Sequence, residues 1–346
     1  MTTYKGINGF AVQSVATDPS PSDEGQVWYN NATYAFKLAT VTTAGTWASG
    51  GALGTGRYSL GGFGLQTAAV AVGGYNVVPV TNLTNTEKYD GTAWTASGVL
   101  STGRRYLSGI GFGTQTAGAI YGGVTNTTLP QTYTNATEEF NGSSWSAGGT
   151  LNTAKGNAAN AGTQTAAIAF GGSDKTPTTG NVALTGTESY NGTSWTNIPA
   201  TLNTGRSSFA ASGKGTQTAT LAFGGYNGPP TFLASTESYN GTTWTNVNSL
   251  NTARYALSGG GTQTSALAFG GVSPPGTHQS ATELWNGTSW TTNPNSMATT
   301  IALGGGAGTQ SAGISFGGYS NSAPPFGVTY EFTGPGVAET KTITTS

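Results

Sequence analysis

The chain has 346 residues, 56 of them glycine, with no cysteine, one histidine and 7% charged side chains, against roughly a quarter charged in an average soluble domain. Twelve basic and thirteen acidic residues leave a net charge of -1, which excludes a polybasic partner for nucleic acid or an anionic membrane. The missing cysteine excludes a disulfide scaffold and thiolate metal sites.

The opening, MTTYKGINGF, lacks the basic-then-apolar layout of a secretory signal, so no signal peptide is expected. No apolar run approaches the ~18–20 residues that span a bilayer, so no membrane insertion is expected. Residues 1–40 read as an N-terminal extension. Within it, Asp18-Pro19-Ser20-Pro21-Ser22 favours an extended linker. Val27-Trp28-Tyr29 and Tyr34-Ala35-Phe36 then flank Asn-Asn-Ala-Thr in the pattern of a hairpin. An aromatic segment outside the repeats suits docking to another body, or a strap over the repeats themselves.

From residue 41 to 334 the chain repeats itself. Gly-Gly pairs begin at Gly73, Gly122, Gly171, Gly224, Gly270 and Gly317. A GLQT, GTQT or GTQS string begins at Gly64, Gly113, Gly162, Gly215, Gly261 and Gly308. A glutamate stands two residues before an aromatic at Glu87, Glu138, Glu188, Glu237 and Glu283; at Glu331-Phe332 the gap closes by one. Three markers therefore agree on six repeats of about 49 residues.

Inside each repeat the hydrophobic period is two. Gln164–Phe170 reads as a short buried strand bounded by glycines. A loop follows, then a strand ending in the aromatic, then Asp90-Gly91, Asn141-Gly142, Asn191-Gly192, Asn240-Gly241 or Asn286-Gly287. Those dipeptides predict two-residue hairpin turns. A strand carrying Trp94, Trp145, Trp195, Trp244 or Trp290 completes the hairpin, and a further strand, such as Arg254–Ser258, precedes the next GTQT. Four antiparallel strands per repeat predict an all-β, six-bladed β-propeller. Trp47 has no repeat before it and the last repeat has no Trp after it. The strand near Trp47 is thus expected to pair with Tyr330–Phe332 and close the ring by completing the last blade. Residues 335–346 form a weakly alternating tail that suits an extra strand or no structure.

The Gly-Gly, aromatic and Trp layout over about residues 41–334 resembles the kelch repeat. Strings such as GTQTAAIAFGG and TESYNGTSWT are similar to kelch-like repeats in marine bacteriophage structural proteins, and DPSPSDEGQVWYN is similar to segments of phage virion proteins. The resemblance implies a non-enzymatic virion protein, on a tail fibre or capsid projection. Residues 1–40 would anchor it to other virion proteins, with a host-surface glycan or protein at the loop face and homo-oligomers open. Two alternatives stand beside this: a decoration or scaffold protein that binds only virion subunits, and a glycan-active propeller enzyme.

Two sets of side chains stand out. Arg57, Arg104, Lys155, Arg206 and Arg254 begin the first strand of five repeats, with Ile301 in the sixth place. This basic row faces the glutamate row, so it suits structural pairing or, alternatively, a ring at the central channel that binds an anion. Antiparallel alternation also puts the loops between second and third strands on one face, each with proline: Pro79, Pro130, Pro177, Pro229, Pro274 and Pro324. Proline lowers the cost of ordering a loop on binding. Tyr75, Tyr133, Tyr226, Phe232, Tyr319 and Phe326, with His278, are the candidate ligand-binding residues there; capping of blade ends is the alternative. No catalytic residue, metal ligand or cofactor is expected, because one loop histidine and four aspartates give no triad or zinc set. The Asn-Gly-Ser/Thr strings match a glycosylation sequon, but the turn already accounts for them.

Overall fold

The computed structural model describes residues 12–18, 26–41, 44–107, 111–176, 180–228, 231–320, 327–336 and 338–343. Among these the fold is all-β, without a helix, and so without one long and apolar enough to cross a membrane. Two compact units form: residues 46–333, and residues 1–45 together with 334–346.

The larger unit holds six four-stranded antiparallel sheets. Sheet I consists of Gly61–Leu65, Ala68–Val72, Thr86–Tyr89 and Trp94–Ala96. Sheet II consists of Phe112–Thr114, Ala117–Tyr121, Thr137–Phe140 and Trp145–Ala147. Ala159–Thr163, Ala166–Phe170, Thr187–Tyr190 and Trp195–Ile198 make sheet III. In sheet IV the strands are Ala210–Ala211, Thr220–Phe223, Thr236–Tyr239 and Trp244–Val247. Sheet V is built from Ser258–Thr262, Ser265–Phe269, Thr282–Trp285 and Trp290–Thr292. Sheet VI takes Gly305–Gly308, Ala312–Phe316 and Thr329–Thr333 from the last repeat and Thr46–Gly50 from the first. Phe332 pairs with Trp47 there, as the unmatched Trp47 predicted.

The first strand of each sheet touches that of the next, and the first strand of VI touches that of I. The core is accordingly divided into six main apolar clusters, each between two neighbouring sheets. The second strands are buried on both faces, which is why strands such as Ala166–Phe170 are apolar throughout.

Two repeated side chains clasp each sheet to the one before it. The indole N–H of Trp94, Trp145, Trp195, Trp244, Trp290 and Trp47 donates to Thr329, Thr86, Thr137, Thr187, Thr236 and Thr282, at 2.8–3.2 Å. The Gln of GTQT acts likewise: Gln164 donates to the carbonyls of Gly118 and Phe140 at 2.9 and 3.0 Å, and Gln66 to those of Gly313 and Phe332. A third clasp runs forward, with the second glycine of the doublet giving its N–H to the basic residue's carbonyl, as Gly123 does to Lys155 at 2.9 Å. The first glycine, Gly122 at φ 64°, lies so near that carbonyl that a methyl group would collide with it.

Three sequence expectations need correcting. The Asn-Gly turns are not two-residue hairpins: Tyr190 pairs with Trp195, leaving four residues between. Asn191 Oδ1 instead accepts the N–H groups of Thr193 and Ser194 at 2.9 and 2.8 Å, an Asx-type closure that needs positive φ only at Gly192. The two-residue turns are made by GTQT, where Thr163 pairs with Ala166 across Gln164-Thr165. Secondly, the basic residues precede the first strands: Arg254 lies before Ser258–Thr262 because Ala256 has φ 53° and breaks the extended run. Thirdly, Glu331 does not continue the glutamate row. Because Phe332 faces Trp47 as Tyr89 faces Trp94, the place of Glu87 falls to Tyr330.

In the smaller unit, Val27–Asn30 and Ala35–Val41 form the expected hairpin. Asn30 Oδ1 accepts the N–H groups of Ala32 and Thr33 in its turn. Gln13–Val15 adds a parallel strand on one side, and Ala338–Ile343 adds an antiparallel strand on the other. The extension and the tail, read separately from the sequence, are therefore one unit. Asp18 ties it together by accepting from Trp28 Nε1 at 2.9 Å and Asn30 Nδ2 at 2.6 Å, and these two bonds hold its carboxyl below the ordinary range.

Candidate functional site: an aromatic arc on the loop face

The site begins with the residue after each base. Tyr58, Arg105, Gly156, Ser207, Tyr255 and Ala302 each form an antiparallel bridge with the start of the second-to-third-strand loop of their own repeat, as Tyr58 does with Tyr75. One residue further, Ser59, Tyr106, Asn157, Ser208, Ala256 and Leu303 all have φ between 49° and 56°. Their backbones are chained: Ser59 N–H donates to Leu303, Leu303 to Ala256, Ala256 to Ser208, Ser208 to Asn157 and Asn157 to Tyr106, at 2.7–3.0 Å. A narrow cavity lies inside this chain, lined by Ser59, Asn157, Ser208, Ala256 and Leu303 among others.

Base and bridge alternate in direction, so the base points inward and its follower stands with the loops. Ring centroids then follow one another: His278 to Tyr319 at 5.5 Å, Tyr319 to Tyr58 at 5.6 Å, and Tyr58 to Tyr75 at 5.4 Å. The Arg105 guanidinium lies 4.5 Å from the Tyr75 centroid and 5.3 Å from that of Tyr106. A second group joins Tyr226, Phe232 and Tyr255 at 4.9–6.1 Å. Burial pushes the Tyr58, Tyr133 and Tyr255 phenols up and the His278 imidazole down, so these groups are uncharged near neutral pH.

Of the predicted loop residues, Tyr75, Tyr319 and His278 thus fall in one group and Tyr226 and Phe232 in another. Tyr133 is in neither ring series, but Arg105 and Tyr106 are close enough to influence its phenol. Phe326 lies outside the described residues, as do Pro177, Pro229, Pro230, Pro324 and Pro325. Sequence reasoning missed Tyr58, Arg105, Tyr106 and Tyr255. The signal was available, since three of them directly follow a member of the basic row.

The basic row is buried and paired. Arg57, Arg104, Lys155, Arg206 and Arg254 are 0–2% exposed and each is ion-paired with the glutamate of its own repeat. Arg206 meets Glu237 at 2.6 Å and also donates to the carbonyls of Gly224 and Ser235. Burial lowers the pKa of Arg57 to about 10 against the opposing pull of Glu87. Every such glutamate also accepts a backbone N–H from the segment leading into its repeat, as Glu237 does from Asn203 at 2.7 Å. Among the described residues, no group of three His, Asp or Glu side chains could hold a metal ion. Neither a family model nor a curated protein sequence matches the chain.

Proposed function

We propose that residues 46–333 are a six-bladed kelch-like β-propeller without catalytic activity, closed by Thr46–Gly50 in the last blade. The strand contacts that run from sheet I to VI and return to I support this reading. The propeller presents its loop face to a glycan on a host surface, as an attachment protein of a phage virion. The observation that carries this is the aromatic arc: partly open phenol faces suit stacking on sugar rings. The virion setting rests on the likeness of the repeats and of DPSPSDEGQVWYN to phage structural proteins, with residues 1–40 as the particle anchor.

Immunogold labelling of purified phage particles with antibodies against the second-to-third-strand loops tests the setting. Label on tail fibres or capsid projections is expected. Absence of the protein from particles would sink the virion reading. One observation favours a second reading, a decoration or scaffold protein: Val78 and Leu129, at the tips of the sheet I and II loops, are 81% and 76% exposed. Such tips suit a protein partner, and on that reading the loops are detected only after particles are disrupted.

A further inference from the structure

The six bridge positions carry tyrosine, glycine, serine or alanine except at sheet II, where the residue is Arg105. This arginine is 7% exposed, and among the described residues no carboxylate lies within ion-pair reach of it. Its Nη1 makes one long hydrogen bond to Asn82 Oδ1 at 3.4 Å, and its Nε is enclosed with no partner at all. Asn82 is held in turn, since its Nδ2 donates to the carbonyls of Val124 and Asn126. The guanidinium lies over the Tyr75 and Tyr106 rings, and its charge reaches the phenols of Tyr58 and Tyr133.

A buried cation without an anion is costly, and proteins ordinarily pair it. The other four buried arginines follow that rule and Arg105 does not. The geometry points to Arg105 as the docking point for the anionic group of an acidic saccharide, whose sugar rings lie against the surrounding tyrosines. A planar guanidinium fixed by stacking matches a carboxylate or sulfate through parallel N–H bonds. Rings on several sides of the charge favour a sugar, which offers a C–H face beside its acid group. The inference rests on the attachment reading above and narrows it to acidic ligands.

The test is calorimetric titration of the full chain with uronate oligomers, sulfated oligomers and neutral oligomers of equal length, and with an oligoglutamate peptide. One anionic set binds more tightly than the neutral set, and which one names the acid group. Arg105→Gln, which keeps hydrogen bonding but not charge, weakens that binding roughly 10- to 100-fold and removes the preference for the acidic set over the neutral one. Added salt weakens it in the native chain and has little effect in the variant. A thermal melt of Arg105→Gln matching the native chain excludes unfolding as the cause; should it not match, Arg105→Lys, which keeps the charge, must restore preference for the acidic set. Equal binding of acidic and neutral sets, or an Arg105→Gln variant that binds acids normally, overturns the inference and leaves the attachment reading standing. Binding of no saccharide overturns both. Preference for an oligoglutamate peptide over every saccharide overturns the saccharide assignment.

Discussion

In five repeats a base and an acid are buried against each other, and in the sixth the same two places hold Ile301 and Tyr330 within an apolar cluster. Gly271 N–H meets the Ile301 carbonyl as Gly225 N–H meets that of Arg254, which confirms the equivalence. The fold therefore accommodates either an ion pair or an apolar pair. Removing one partner strands a buried charge, so Glu237→Leu is expected to cost about 3–5 kcal/mol. The double change Arg206→Ile with Glu237→Tyr is expected to recover most of that loss in urea titrations. A double variant no more stable than the single one would show that the pair cannot be exchanged. Tyrosines make a second test. Burial, then a bond to Glu331, pushes Tyr89 up to about 12, and burial with Glu139 does the same for Tyr190. The unfolded chain loses these protons near 10.0, so the fold holds more protons between the two values. Stability from each phenol is full below pH 10 and is lost as the pH rises through 12. Melting temperatures of the native chain and Tyr89→Phe are expected to converge across that window; a constant difference would refute the assignment.

At the scale of the element, the recurrence of Gln in GTQT was legible in the sequence and its destination was not. A glutamine at a turn suits backbone groups nearby, and Gln164 reaches two carbonyls that belong to the preceding sheet. Gln164→Ala leaves both acceptors without that donor, and a loss of about 1–3 kcal/mol is expected in chemical denaturation. A change below a few tenths would mean that water replaces the clasp. The Asn-Gly strings show the converse. Turn chemistry placed the hairpin correctly, while the side-chain closure by Asn191 lengthened the loop from two residues to four. The first strands were misplaced for a related reason. Apolar patterning runs on through Tyr255-Ala256-Leu257, and nothing in those residue types announces the positive φ of Ala256. That φ is imposed by the backbone chain linking neighbouring repeats.

For the whole molecule, Thr46–Gly50 is the strand of sheet VI that comes from the chain's beginning. Its indole bonds to Thr282 in sheet V, while Trp94 of sheet I bonds to Thr329 in sheet VI. Deleting residues 1–45 spares this strand, and a cooperative melt is expected to survive. Deleting residues 1–50 removes it, exposing one edge of sheet VI and the Phe269 and Phe332 rings that Trp47 covers. Unfolding or oligomerisation is the expected result, read by scanning calorimetry and light scattering. Identical melts for the two truncations would contradict the proposed closure.

The sequence by itself determined the repeat number, the strand class, the shared last sheet and the proline-bearing loops. Each of these depends on local period, turn residues and order along the chain. Only the tertiary structure decided which residues meet between repeats. It sent the indoles and the glutamines to the neighbouring sheet. It joined the tail to the N-terminal hairpin and left Arg105 among tyrosines with no acid of the described residues in ion-pair reach. Those outcomes depend on distances between segments well separated along the chain, and a one-dimensional pattern carries no such distance.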